Sequence, residues 1–118
     1  MAFTPRFSLL LKLLLRRRYT AAAEGLFMEG SIEFEAGDLE SARLAFTYGT
    51  RLDPRFAGNF HNLALTIERM DGPGPAALAA WREYLRVADL DPRQSAEAKA
   101  KVRAHLAKLE AAAPAARA

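Results

Sequence analysis

At 118 residues the chain has the size of one small domain with a single core. Hydrophobic residues make up 51% of it, with Ala and Leu dominant and no alternating β-rich segment, so an all-α fold is expected, and the absence of cysteine excludes disulfides, thiolate metal sites and a cysteine nucleophile. The net charge of +3 joins two unlike parts: residues 1–18 carry five cations and no acid, whereas residues 24–40 carry six acids and no cation.

The first predicted element is a basic, leucine-rich arm over residues 1–20. Thr4 reads as an N-cap and Pro5 as the first helical residue, and Arg6 to Arg18 contain no Gly, Pro or β-branched residue, so a helix of about a dozen residues is predicted. On its wheel Ser8, Lys12 and Arg16 form a narrow polar stripe, while Phe7, Leu9, Leu10, Leu11, Leu13, Leu14 and Leu15 fill the rest. One supporting face cannot cover so wide an arc, and each leucine left in water forgoes about 1.5–3 kcal/mol. The arm is therefore expected to touch two surfaces, one of them the first helix of the body. The other is a protein partner, a second copy or an anionic membrane surface, and the candidate contacts are Phe7, Leu10, Leu11, Leu14, Arg16, Arg17 and Arg18.

Other uses of the arm fit less well. Lys12 and the three arginines interrupt any membrane-spanning run, and most cations follow the apolar stretch instead of preceding it as in a secretory signal. Arg16, Arg17 and Arg18 beside Tyr19 suggest nucleic acid, but cations that close a helix complement its dipole, so nucleic acid is the less favoured partner. The lack of acids also suits an organelle-targeting presequence. A cytoplasmic setting is the default, at a membrane surface if lipid is the arm's target.

Next comes a stretch with a defined register over residues 23–56. Small residues at Gly30, Ala42 and Gly49 stand at helical spacing with the larger Leu26 and Phe46, Gly37-Asp38 supplies a turn, and Asp53-Pro54 closes the segment. Gly30 and Ala42 let two helix axes approach while Phe46 fills the space beside them. This pattern resembles the tetratricopeptide repeat (TPR), a helical hairpin of 34 residues. A second copy over residues 57–91 is similar: Phe60, Leu63, Ala64 and Ile67 lie on its first helix, and Ala77, Trp81 and Tyr84 follow Ala42, Phe46 and Gly49 by 35 residues. Its turn, Asp71-Gly72-Pro73-Gly74-Pro75, is longer, and its closing Asp91-Pro92 comes later still, so its last helix is expected to be nearly a turn longer than its counterpart. From Pro92 to residue 113 an amphipathic helix with Ala98, Val102, Leu106 and Leu109 on one face resembles the helix that caps such arrays, and 114–118 is a tail. The expectation is thus an all-α solenoid of about six helices, with domain limits of 21–113.

The resemblance implies a concave binding face built from the first helix of each copy. Carried over, it comprises Glu24, Phe27, Met28, Ser31, Phe34 and Glu35 with Gly58, His61, Asn62, Leu65, Glu68 and Arg69. Where one subgroup of the family grips a terminal carboxylate with Lys and Asn, this chain has Phe27 and Ser31, so a helical or amphipathic ligand is the better match. Nothing points to catalysis, a metal or a cofactor. His61 and His105 lie far apart in sequence, the prolines of residues 71–75 remove the donors a phosphate loop needs, and Glu29 with Glu33 reads as a solvated i, i+4 face. The implied role is a non-catalytic adaptor or accessory subunit that holds a helical or extended segment of a larger assembly. The alternative is a peripheral membrane protein whose arm lies in anionic lipid.

Overall fold

The computed structural model describes residues 5–113, with side chains from residue 9 onward. The Thr4 cap, the Phe7 side chain and the tail 114–118 lie outside the described residues. The fold is all-helical among those described: α1 Pro5–Glu35, α2 Leu39–Leu52, α3 Ala57–Asp71, α4 Pro75–Ala88 and α5 Ala96–Ala112. Each helix packs on the next in the chain, and α1 also meets α3.

Among the described residues there are five helices where about six were expected, because the arm and the first helix of the body are one. Between Arg6 and Glu35 the chain has no proline, and its isolated glycines, Gly25 and Gly30, each cost only about 1 kcal/mol in a helix, too little to break it. The resulting helix has 31 residues, about 46 Å at 1.5 Å per residue, and is the longest element of a molecule 62 Å long and 29 by 27 Å across. The arm therefore does not fold back onto the first helix of the body. It continues that helix outward.

Helix α1 ends where glycine allows it to end. Gly37 has φ 85°, and the N–H groups of Gly37 and Asp38 return to the carbonyls of Phe34 and Glu33 at 3.0 and 2.9 Å. Asp38 then opens α2 by accepting from the Ser41 N–H at 3.2 Å. Close approach across α1 and α2 depends on Gly30, where a Cβ would stand 2.6 Å from the Phe46 ring. Gly49 gives α3 the same access to α2, since a Cβ there would meet the Asn59 amide at 2.3 Å. Asn59 is fully buried and its Nδ2 donates to the Ala23 carbonyl at 3.0 Å, which ties α3 to α1.

Two aspartates hold the helix junctions. Asp53, between α2 and α3, accepts from the Arg55 N–H at 3.0 Å and from the Thr20 hydroxyl of α1 at 2.9 Å. Asp91, between α4 and α5, accepts from the Arg93 N–H at 3.0 Å and from the Ala57 N–H at 2.9 Å. The parallel is instructive. At Ala57 a helix begins and its free N–H is available, whereas α1 runs straight past Thr20, so a side-chain hydroxyl supplies the donor instead.

The main core lies between α3, α4 and α5 and contains Ala64, Ala77, Trp81, Tyr84, Val87, Val102, Leu106 and Leu109. Helix α4 has 14 residues, the same as α2, so the expected extra turn is absent. The additional residues form turns instead: Leu90 and Asp91 donate to the Val87 and Ala88 carbonyls at 2.9 and 3.2 Å. The capping helix starts at Ala96 and not at Pro92, because Ser95 takes the N-cap position and accepts from the Ala98 N–H at 3.0 Å.

Candidate functional site

Two surfaces of α1 collect the residues singled out by the sequence. The direction of the arm is set by its own continuation. Thr20, Ala23, Phe27 and Gly30 face the body, and projecting that line backward at 100° per residue brings Arg16 and Lys12 to the same side. Lys12, Leu15, Arg16 and Tyr19 accordingly line a cleft of about 380 Å³ with Leu52, Asp53, Pro54 and Arg55 from the turn after α2. Lys12 and Arg16 overhang the body, Leu10, Leu11 and Leu14 point away from it, and Leu15 lines the cleft. The expected packing of those leucines on the first helix of the body is overturned: Leu9, Leu10, Leu11, Leu13, Leu14 and Leu15 are 41–60% exposed.

Arg16, Arg17 and Arg18 are exposed as well. They do not close a helix, because α1 continues to Glu35, so the dipole explanation for their position fails. The second half of α1 reverses the charge. Glu24, Glu29, Glu33 and Glu35 follow with no cation among residues 19–35. Glu33 departs from the solvated face expected of it: it is half-buried and one carboxylate oxygen has no hydrogen-bond partner. Burial, with Glu29 and Asp38 nearby, raises its carboxyl above the ordinary range.

The second surface lies between α1 and α3. Ser31, Phe34, Glu35, Asn62 and Leu65 line a small concavity of about 120 Å³. Asn62 Nδ2 donates to Ser31 Oγ at 3.3 Å, Ser31 Oγ donates to the Phe27 carbonyl at 2.7 Å, and the Arg69 guanidinium stands 5.3 Å from the Phe34 ring centre. Apolar Phe34 and Leu65 beside Glu35 and Arg69 can accept an amphipathic side chain. Four residues of the implied face serve other ends. Phe27 packs edge-on against Phe56 with ring centres 5.5 Å apart. His61 is wedged between Trp81 and Tyr84 at 5.2 and 5.3 Å. Glu68 accepts from Trp81 Nε1 at 3.0 Å and sits 2.7 Å from His105 Nε2, a brace across α3, α4 and α5. Glu24 lies toward the arm, 3.7 Å from Arg93. Met28 stands clear of the concavity, 65% exposed.

Ile32, 69% exposed, was not among the expected contacts, and with it the apolar outer face of the arm continues along the body half of α1. The signal was present in the helical spacing from Leu14 through Ala21 to Met28. Among the described residues no three potential metal ligands gather, and no helix is long and apolar enough to cross a membrane. No protein-family model matches the chain, and neither a curated protein nor a solved structure does.

Proposed function

We propose that the chain is a non-catalytic protein–protein interaction module of the tetratricopeptide type, an adaptor or accessory subunit that docks through the arm half of α1 on a helical or extended segment of a larger assembly. The observation that carries this is the row of leucines between residues 9 and 15, 41–60% exposed on a helix that outruns its own body. At about 1.5–3 kcal/mol for each leucine fully covered, such a surface favours association strongly. The tetratricopeptide character is supported by paired roles 34 or 35 residues apart: Gly30 with Ala64, Ala42 with Ala77, and Phe46 with Trp81, all buried. The concavity at Phe34 and Leu65 is a second, smaller contact for the same partner, and a cytoplasmic setting goes with this role.

A membrane-surface role draws on one observation, the exposed Arg16, Arg17 and Arg18 directly after the leucines. The glutamates on the rest of α1 count against it, since an anionic surface repels them. Two measurements separate the readings. Exchange of Leu10 and Leu14 for Ser, with helicity checked by circular dichroism, is expected to abolish co-purification of native partners; undiminished recovery would rule out docking through the arm. Co-sedimentation with phosphatidylserine vesicles is expected to be weak and indifferent to removal of residues 1–18.

A further inference from the structure

The outer face of α1 is apolar over nearly its whole length. Leu10 and Leu14 at one end and Met28 and Ile32 at the other are 55–69% exposed, and all lie on the side of α1 opposite Ala23 and Gly30. Between them the face is low: Ala21 is exposed, and nothing lies within 4 Å of where a Gly25 Cβ would be. A second helix can approach closely there, with bulky side chains packing to either side.

Charge says what kind of helix fits. Flanking this face, the arm half carries Arg17 and Arg18 and the body half Glu24, Glu29 and Glu35, while Lys12 and Arg16 lie on the side toward the body; neither half of residues 9–35 holds a charge of the opposite sign. Cations toward the amino end and acids toward the carboxyl end oppose the helix dipole, and the first turn has no acid and the last no base to relieve it. A neighbour is needed whose charges run in reverse, and α1 itself, turned around, is such a helix. A parallel copy would set cations on cations and acids on acids.

We propose that α1 pairs antiparallel with α1 of a second copy of this chain, across the face of Leu10, Leu14, Ala21, Gly25, Met28 and Ile32, with the two-fold axis near Ala21. This rests on the docking role assigned to the arm and names its partner. In that register Leu14 of one copy meets Met28 of the other, Leu10 meets Ile32, and Arg17 lies beside Glu24. The arm half of each copy is covered by the body half of its partner, and the basic segment of each lies along the acidic segment of the other. An anionic membrane satisfies only the basic half and leaves Met28 and Ile32 in water.

The chain has no cysteine, so single cysteines report the register directly. Full-length Leu14→Cys and Met28→Cys proteins, oxidised alone, are expected to stay largely unlinked, because antiparallel pairing holds like positions about 21 Å apart at 1.5 Å per residue. Their equimolar mixture is expected to form a disulfide-linked heterodimer. Leu14→Cys linking to itself as readily as to Met28→Cys would overturn the antiparallel register. In sedimentation equilibrium the unmodified chain is expected to reach twice 13.0 kDa as concentration rises. Arg17→Glu with Arg18→Glu is expected to weaken that association about tenfold or more, and mixing with Glu24→Arg, Glu29→Arg protein to restore it. A chain that remains at 13.0 kDa throughout overturns self-pairing. Should that monomer still bind another protein through Leu10 and Leu14, docking stands and only the identity of the partner is wrong; should it bind phosphatidylserine vesicles instead, both proposals fall.

Discussion

The two halves of α1 differ in a way that hydrophobicity does not anticipate. Residues 19–35 place almost bare backbone in the interior, with Ala23 fully buried and Gly30 against the Phe46 ring, whereas residues 9–18 carry six leucines and cover none of them fully. The difference lies in what stands opposite. Helix α2 has 14 residues, about 21 Å, and cannot cover a helix of 31 residues, about 46 Å. Burial follows from the length of the neighbour as much as from the side chain, and an excess of leucine beyond that length is a surface for something else.

The largest expected effect breaks the body half. Phe46→Ala empties the space that Gly30 and Phe27 help to enclose and is expected to cost about 3–5 kcal/mol in denaturant unfolding. Gly30→Ala tests the same contact from the other side: its methyl would press on Phe46, at a cost of about 1–3 kcal/mol unless the ring moves.

The junctions rank next. Burial opposes ionisation of Asp91, but Arg93 and the N–H groups of Ala57 and Arg93 outweigh it and hold the carboxyl below its ordinary 3.8. A carboxyl with a lowered folded-state pKa contributes stability that is full above the ordinary value and lost as the pH falls through the folded one. Unfolding followed from neutral pH into acid is expected to show this loss beginning near pH 3.8, with Asp91→Asn flattening the acid limb. The smallest effect belongs to the arm. Leu10→Ser with Leu14→Ser, read on dilute monomer, is expected to change stability by no more than about 0.5 kcal/mol, since neither side chain packs on its own body.

Much of the body was legible because the residues that specify it act locally. Gly37 with Asp38, Asp53 with Pro54, and the pairing of Gly30 with Phe46 each need only a turn or one facing helix, and the spacing discloses them. The join between arm and body was legible only as the lack of a proline between Arg6 and Glu35, and the cations at residues 16–18, which suit a helix end, suggested a boundary there instead. The fate of the leucines depended on where α2 ends, a property of the whole fold. Phe27 and His61, assigned to a binding face by resemblance, turned inward because Phe56 and the Trp81–Tyr84 pair come from other elements to meet them. Met28, placed on the concave face by resemblance, lies instead on the outer face with Ile32, which a wheel that stops at Arg18 does not reach.

Amide hydrogen exchange along α1 tests the central claim, that its arm half is covered from outside and its body half from within. In dilute protein the amides of residues 9–18 are expected to exchange quickly while those of residues 23–35 are protected, and raising the concentration is expected to slow the arm amides selectively. Arm amides as protected as the body's at every dilution, or fast at every concentration, would contradict it.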